Sequence, residues 1–336
     1  MSPPPRVAAL AGGVGAARLL RGMVDVVAPE AVTAVVNTGD DVVLHGLQVC
    51  PDLDTVTYTL AGAVETGQGW GLAGESWATM EALGRYAPSA PPGSSAGATW
   101  FRLGDRDLAT HLYRTGRLAE GAALSEVTGE VAAAWGVRAT LLPMSDQRVE
   151  TRVDVVGDGE IGFQDYFVRR RHSVVATGVR FAGAQAAAPA PGVLDAISGA
   201  DVVVICPSNP VVSIGPVLAV PGIGAAVAAR RDRTVAVSPI VAGAALKGPA
   251  ARLMAELGHE PSVVGVARLY CGLAATLVVD ERDASLADAV EQAGMRCVVT
   301  PAVMHGRAEA AALARAVLAA AGAPVVAQWG GLSATS

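Results

Sequence analysis

The feature that most constrains the fold is a recurring unit in which a short apolar strand runs into a glycine-rich or polar turn and then a helix. Val7–Ala11 is such a strand, followed by the glycine turn Gly12–Gly15 and a predicted helix over residues 16–27. The pattern returns with the valine-rich runs Asp201–Cys206 and Thr234–Val237. Buried strands that alternate with helices are typical of a parallel sheet covered on both faces. We therefore predict an α/β, Rossmann-like, doubly wound sheet of mostly parallel strands.

The middle of the chain follows a different pattern. Residues 151–156 and 160–168 predict a polar-facing hairpin that turns at Gly157–Gly159. A chain of 336 residues can form one large domain with an insertion. We predict a single α/β domain over residues 1–336, with an inserted α/β subdomain near residues 56–195. Near the end of the chain, the buried run Val263–Ala267 is predicted to be a further strand.

Composition limits the possible partners. The chain is 51% hydrophobic and 17% charged, which is typical of a compact enzyme, and its net charge of −6 gives no basic footprint for nucleic acid. The sequence shows neither a signal peptide nor an apolar run of membrane-spanning length, so we expect a cytoplasmic protein without a membrane partner. The four cysteines lack metal-ligand spacing and are predicted to be reduced thiols.

The first glycine turn predicts a phosphate-binding loop. Glycines let backbone N–H groups approach an anionic oxygen at a helix N-terminus, and Gly12, Gly13 and Gly15 are placed for this. Gly13 and Gly15 match the start of the dinucleotide fingerprint, but its third position is Arg18. A guanidinium there would obstruct the helix–strand contact, or it could reach a phosphate. We therefore expect a phosphate loop and disfavour an NAD oxidoreductase; the alternative is a plain tight turn.

The stretch Val35–Thr55 carries four aspartates on loops at the carboxyl end of a predicted strand, where open α/β sheets bind ligands. Clustered carboxylates repel one another unless a cation lies between them. Each one alone could be a turn or helix-capping residue, but the group favours Mg²⁺. Asp40 and Asp41 follow the strand directly and are the predicted ligands; the other two are Asp52 and Asp54.

Three other polar segments are candidates for the site. The turn Pro207–Pro210 is a rigid polar turn on the opposite half of the predicted sheet, where Ser208 and Asn209 could contribute to a substrate site. The run Leu103–His111 places charged residues around a glycine turn, and composition alone favours a self-paired surface segment. The basic run Arg169–His172 is equally compatible with a phosphate clamp and a solvated loop.

Taken together, these motifs resemble the CofD/FbiA family, the 2-phospho-L-lactate transferases of coenzyme F-420 biosynthesis. The matching stretches occur in the family's order and span nearly the whole chain: GGVGAARLL, VVNTGDD, CPDLDTVTYTL, LGDRDLATH, LLPMSD, FQDYFV, PSNPVVSIGP and VAVSPIVAG. The segment Ser89–Gly97 resembles an insertion relative to shorter members.

The resemblance implies a defined reaction. Such enzymes move the phosphorylated acid of a guanosine diphosphate-linked donor to the terminal ribitol hydroxyl of the deazaflavin Fo, release GMP, require Mg²⁺ and form homodimers. It implies that Asp54 and Arg106 contact the deazaflavin, and Asp52 and Asp105 are grouped with the substrate-binding residues. Asp54 would orient or deprotonate the attacking hydroxyl, and Arg18 or Arg106 would stabilise the leaving phosphate. The alanine-rich composition resembles the actinobacterial branch, whose donor carries enolpyruvate rather than lactate.

A second hypothesis belongs to another functional class. A related CofD-like group, the gluconeogenesis factors, shares the fold and the glycine loop and implies a regulatory protein that binds a nucleotide sugar. The joint presence of PDLDT and LGDRD favours the transferase, because that pair suits a deazaflavin acceptor.

Overall fold

The computed structural model describes residues 4–65, 67, 69–91, 94–245 and 248–323, so part of the predicted insertion Ser89–Gly97 lies outside the described residues. The described strands are β1 Val7–Ala11, β2 Val32–Val36, β3 Val42–Leu44, β4 Leu47–Val49, β5 Thr140–Pro143, β6 Glu150–Val155, β7 Gly159–Gly162, β8 Ala176–Ala182, β9 Val202–Ile205, β10 Thr234–Val237, β11 Ile240–Val241, β12 Ala244–Ala245, β13 Thr276–Val279 and β14 Arg296–Val299. The described helices are α1 Gly13–Val26, α2 Pro51–Ala61, α3 Ala78–Leu83, α4 Asp107–Ala119, α5 Leu124–Ala134, α6 Val193–Gly199, α7 Gly215–Ala219, α8 Ile223–Ala229, α9 Ala250–Glu256, α10 Val263–Tyr270, α11 Ala287–Gln292 and α12 Arg307–Ala320.

A parallel sheet organises the molecule and confirms the predicted fold class. Within the described residues it has seven strands in the order β14-β13-β10-β9-β1-β2-β5. Strand β1 is central, and its Leu10 pairs with Val35 of β2 on one side and Ile205 of β9 on the other. The chain moves outward from β1 through β2 to β5, and later from β9 towards β14. The strand order therefore reverses between β1 and β9, and a crevice is expected at the carboxyl ends of these strands.

Both faces of the sheet are buried, which explains why its strands are almost continuously apolar. Val7, Ala9 and Ala11 of β1 belong to a core shared with α1, α2 and α12. Ala8 and Leu10 belong to the opposite core, shared with α6, α8 and α10. The period of two along a strand divides the residues between these cores.

The middle of the chain contributes to two sheets, so residues 56–195 are not a single insertion. Strand β5 lies inside that range and pairs with β2 of the main sheet. Three of the described strands form a separate antiparallel sheet in the order β7-β6-β8. The predicted hairpin is present, but its second arm ends at Gly162, and one turn of π-helix follows at Asp165–Arg169.

The predicted strand Val263–Ala267 is wrong, because these residues open helix α10. The whole run is buried, and an apolar run that is buried on all sides does not show whether it is strand or helix. Ser262 decides the outcome locally, since its hydroxyl accepts hydrogen bonds from the N–H groups of Val264 at 3.1 Å and Gly265 at 3.2 Å. This is an N-cap, and it starts the helix.

Within the described residues, no single helix is long and apolar enough to cross a membrane. A bent pair, Pro210–Ala219 with Ile223–Ala229, passes a test of length and composition. Its residues Ile214, Val217 and Val227 are buried in the core beside the sheet, as expected for core helices of this fold.

Helices α1 and α12 pack closely at Gly22, so we expect the stability of the protein to depend on this glycine. A Cβ at Gly22 of α1 would lie 2.1 Å from the carbonyl oxygen of Ala310 on α12. We expect Gly22→Ala to lower the free energy of unfolding by about 1–3 kcal/mol, since backbone atoms must move apart. The matched control is Gly129→Ala in α5, where no atom lies within 4 Å of the added Cβ. Urea unfolding should show this control to be about 0.5–1 kcal/mol more stable than wild type. Equal stability of both variants would contradict the packing argument.

Candidate functional site

The candidate site lies at the switch point of the sheet, where β1, β2 and β9 end. The Ser208 hydroxyl donates to the carbonyl oxygen of Gly12 at 2.8 Å and accepts from the Gly12 N–H at 3.3 Å. It thereby joins the glycine loop to the turn after β9. The structure thus brings together the two halves of the site that the sequence placed about 200 residues apart.

The glycine loop is held by Asp52. One carboxylate oxygen of Asp52 accepts from the Gly13 N–H at 2.8 Å, and the other accepts from the Asn37 amide at 2.9 Å. Gly13 has φ +72° and begins α1. Asp52 therefore caps α1 from outside the helix, and its position in the site is that of an anchor for the loop.

Two of the three glycines are required by close packing. A Cβ at Gly15 would lie 2.2 Å from the Pro207 carbonyl oxygen, and one at Gly12 would lie 2.8 Å from the Cβ of Ser213. The space beside Gly13 is open, with no atom within 4 Å of an added Cβ, but its positive φ favours glycine. Gly12 and Gly15 thus let the start of α1 pack closely against the segment after β9, whereas the space beside Gly13 is open.

Two predicted site residues form hydrogen bonds with the backbone of neighbouring segments instead. Arg18 Nη1 donates to the carbonyl oxygen of Met304 at 3.0 Å, which ties α1 to the segment before α12. The Asn209 side-chain oxygen accepts from the N–H groups of Val211 at 2.9 Å and Val212 at 3.4 Å. It caps the turn of π-helix at Pro210–Ile214. In this arrangement both polar groups are engaged in holding the backbone.

Asp40 is buried and Asp41 is half-buried, and each has a carboxylate oxygen without a hydrogen-bond partner. An Oδ1 atom of each is shielded from solvent and makes no hydrogen bond to the described residues. Burial raises the pKa of Asp40 well above its usual range, and the neighbouring Asp52 and Asp41 add to the increase. Burial also raises the pKa of Asp41 to about 8. These orphaned acceptor oxygens fit a hard divalent cation, which would supply the missing positive charge.

The other two aspartates, Asp52 and Asp54, form hydrogen bonds or an ion pair with neighbouring residues. Burial raises the pKa of Asp52 to about 6, although its bonds to Asn37 and Gly13 oppose the change. Asp54 forms a two-bond ion pair with the buried Arg114, with Oδ2 3.2 Å from Nη1 and Oδ1 bonded to Nη2. Arg114 is the one arginine that is buried among the described residues. One guanidinium therefore neutralises Asp54 and leaves Asp40, Asp41 and Asp52 without a full counter-charge.

A second group could also hold a metal ion by its geometry. Asp54, Asp107 and His111 each offer a ligand atom, and these atoms lie within 4.8 Å of one another. The group already contains a cation, however, because Arg114 occupies both oxygens of Asp54 and its Nη1 lies 3.4 Å from His111 Nδ1. An ion there would be repelled by the guanidinium. The electrostatics therefore favour the carboxylates at Asp40 and Asp41.

The Leu103–His111 segment is fixed by reciprocal helix caps. The Asp105 carboxylate accepts from the Ser76 hydroxyl at 2.6 Å and from the N–H groups that open α3, and these bonds, led by Ser76, lower its pKa. Glu75 accepts from the N–H groups of Arg106 and Asp107, both at 2.8 Å, at the start of α4. Arg106 is exposed, and its Nη1 donates to the Ala73 carbonyl oxygen at 2.7 Å. The segment is thus a rigid edge, not a mobile charged loop.

A narrow cleft beside this edge is lined by two tryptophans. Trp70 is 46% exposed, and the guanidinium carbon of Arg102 lies 4.4 Å from the ring centre of Trp77. Glu75 and Asp107 contribute acidic groups to the lining. Aromatic faces next to charged groups are a common lining for planar ligands.

Several residues of the site were not predicted from the sequence. Gln164, just before the π-helical turn, donates to the Asp40 carbonyl oxygen at 2.8 Å and so connects the antiparallel sheet to the crevice. Asp107, His111 and Arg114 share one face of α4. Their spacing of four and three residues indicates a shared helix face, but the sequence does not show that this face packs on α2. Asn37 and Glu75 give no sequence signal beyond ordinary turn and capping preferences.

Similarity to known proteins identifies the family of this chain. The model of a family described as 2-phospho-L-lactate transferase CofD matches residues 7–320. The chain belongs to the CofD family. It is therefore an enzyme of the transferase class.

Two curated relatives illustrate the similarity. Phosphoenolpyruvate transferase of Streptomyces griseus is 48% identical over 317 residues, which cover 93% of this chain and 97% of that protein. The protein of the same name from Nocardia farcinica is 42% identical over 325 residues and covers 95% of each chain. Among solved structures, the crystal structure of a Bacillus halodurans protein has a TM-score of 0.58 at 18% identity, over 94% of this chain and 99% of that one. That likeness concerns the fold alone.

The raised carboxyl pKa values predict an unusual dependence of stability on pH. The folded protein retains protons on Asp40, Asp41 and Asp52 that the unfolded chain releases near pH 4. The free energy of unfolding of the metal-free protein should therefore fall as the pH rises from about 5 to 8, by up to about 1.4 kcal/mol per pH unit for each carboxyl still protonated. Urea unfolding in EDTA measures this slope.

Mg²⁺ should reverse the trend, because it competes with the protons for the same oxygens. We expect the rise in Tm on adding Mg²⁺ to be larger at pH 8 than at pH 6, and metal binding to release protons into a weak buffer. A metal-free stability that stays flat over this range, with no effect of Mg²⁺, would contradict the cation site.

Proposed function

We propose that the protein transfers the phosphorylated three-carbon acid of a guanosine diphosphate-linked donor to the terminal ribitol hydroxyl of the deazaflavin Fo, giving a form of coenzyme F-420-0 and GMP. The observation that carries the proposal is the crevice in which Asp40 and Asp41, each with a shielded oxygen that has no hydrogen-bond partner among the described residues, lie beside a glycine loop anchored by Asp52. Phosphoryl transfer depends mainly on charge neutralisation and in-line positioning. The relatives' name, phosphoenolpyruvate transferase, supports enolpyruvate over lactate or glycerate as the acid on the donor.

The donor diphosphate would bind at the start of α1. Gly13, Val14 and Gly15, the first three residues of α1, carry N–H groups that have no partner inside the helix. Asp52 takes the first of these, so the following N–H groups remain for an anionic oxygen. Asp40 and Asp41 would hold Mg²⁺, which neutralises diphosphate charge when bound. Ser208 and Asn209 would then act mainly by fixing the walls of the donor site.

The acceptor would lie on the other side of α2, along the Leu103–His111 edge. The rings of Trp70 and Trp77 offer faces for the deazaflavin, and Arg106 offers N–H donors to its carbonyl oxygens. Asp54 has both oxygens bonded to Arg114, so it would orient the attacking hydroxyl through a remaining lone pair instead of removing its proton. A homodimer and a cytoplasmic location remain predictions.

The reaction is tested by offering the purified protein Fo, Mg²⁺ and an equal mixture of lactyl, enolpyruvyl and glyceryl donors. We expect mass spectrometry to show GMP and the enolpyruvyl product, since the relatives carry that name. A product that carries a different three-carbon acid would change the donor and keep the enzyme class. No product, together with no saturable change in Fo fluorescence on titration, would favour the regulatory nucleotide-sugar-binding alternative.

Asp40→Asn separates a metal ligand from a structural acid. The substitution replaces a carboxyl group whose ionisation is opposed by burial and removes a ligand oxygen, so we expect Mg²⁺-dependent turnover to fall by at least about 10²-fold while the Tm of the metal-free protein at pH 8 rises. The control is Asp158→Asn, an exposed carboxylate paired with Arg170, which should leave both quantities unchanged. Asp40→Asn protein that keeps wild-type turnover would exclude Asp40 as a ligand.

A further inference from the structure

A polar seam joins α2 to α4 beneath the proposed acceptor site. The Tyr58 hydroxyl donates to Asp107 at 2.6 Å and lies 2.8 Å from the Thr110 hydroxyl. His111 Nε2 lies 3.3 Å from Asp107 Oδ2, and Nδ1 lies 3.7 Å from Asp54 Oδ2. Asp54 and Tyr58 are one helical turn apart on α2, and their partners share one face of α4. We call this set, Asp54, Tyr58, Asp107, Thr110, His111 and Arg114, the α2–α4 seam.

Arg114 is the positively charged residue of the seam, and hydrogen bonds from its guanidinium hold it in place. Its side chain is 3% exposed and that of Asp54 is 6% exposed. Both of its Nη atoms bond the Asp54 carboxylate, and Nη1 also lies 3.4 Å from the Gln48 carbonyl oxygen. The planar guanidinium fork holds a carboxylate in one orientation, which a single ammonium group cannot do. The carboxylate plane of Asp54 is therefore set by Arg114.

The same guanidinium also reaches the edge of the metal crevice. Gln48, whose carbonyl oxygen accepts from Arg114, directs its side-chain amide to Asp41 Oδ2 at 3.5 Å. Burial dominates the pKa of Asp41, but the positive charge of Arg114 works in the opposite direction and lowers it. Arg114 thus lies between the proposed acceptor-orienting group and the proposed metal ligands.

We propose that Arg114 is a positioning residue of the transfer reaction, acting through Asp54. It holds the Asp54 carboxylate in one orientation through the two-bond ion pair, so that the remaining lone pair aligns the attacking ribitol hydroxyl. The inference rests on the proposed function. A purely structural ion pair would affect the free energy of unfolding, whereas alignment of a nucleophile by the fork geometry would affect kcat. Small misplacements of reacting groups can cost about 10²-fold in rate.

The principal test is Arg114→Lys, which keeps the charge and loses the two-bond geometry. We expect kcat to fall by about 10-fold or more, with the Kd for Fo and the far-UV circular dichroism close to wild type. The matched control is Arg117→Lys, one turn along α4, where a half-exposed arginine pairs with Glu130. Its kcat should be unchanged. An Arg114→Lys protein with wild-type kcat, or a loss seen in KM alone, would overturn the inference.

The second test asks whether Arg114 acts through Asp54. In an Asp54→Asn background, adding Arg114→Lys should reduce kcat by less than about 2-fold, because coupled residues are non-additive. A full additional 10-fold loss would show that Arg114 acts by another route and would overturn the proposal. If Arg114→Lys does not fold, the double variant Arg114→Gln with Asp54→Asn replaces the ion pair by two neutral amides. The kcat of this double variant should equal that of Asp54→Asn alone, and a further loss of kcat would overturn the proposal.

Chemical rescue gives an independent readout. Ethylguanidinium added to Arg114→Ala should raise kcat, and ethylammonium at the same concentration should raise it less. Equal rescue by both would contradict a role for the fork geometry. Wild-type protein that neither releases GMP nor binds Fo would remove the proposed function and this inference together, whereas wild-type turnover with an unaffected Arg114→Lys protein would remove this inference alone.

Discussion

The site depends on two carboxylates in the first turn of α2 that serve opposite neighbours. Asp52 bonds the start of α1 and holds the glycine loop, while Asp54 pairs with Arg114 on α4. Because both belong to one rigid turn of helix, the proposed donor and acceptor sides are kept at a fixed separation. Pro51 at the helix start supports this arrangement, since its missing N–H is not needed there and its φ suits the first turn.

An unbalanced charge distribution follows from that arrangement. Only Asp54 of the four aspartates receives a buried arginine, and burial raises the pKa of the other three, an effect that a bound cation would oppose. Under the proposed function, stability and function would therefore oppose each other at this point. The metal-free crevice would lose stability as the pH rises, and the same lack of positive charge would favour binding of a divalent ion. Such a conflict is common where polar groups are buried for chemistry rather than for packing.

Several features could be predicted because they follow from local pattern. The strands Val7–Ala11 and Thr234–Val237 have the bounds expected from their apolar runs, and the parallel sheet follows from their alternation with helices. Val263–Ala267 failed because a fully buried run carries no period that separates helix from strand, and Ser262 was not recognised as its cap. Strand β5 was placed within an insertion because pairing with β2 is a long-range contact that spacing along the chain does not encode.

The sequence by itself determined the family, the fold class and the identity of the clustered aspartates, because motif order and strand periodicity are written locally. The tertiary structure alone decided which aspartates are neutralised. Arg114 lies 60 residues from Asp54 along the chain, and only the packing of α4 on α2 brings the guanidinium to the carboxylate. The tertiary structure likewise places the Arg18 side chain against Met304, 286 residues away, instead of at the glycine loop. A side chain's partner is fixed by which helices pack together, and that is a property of the folded chain.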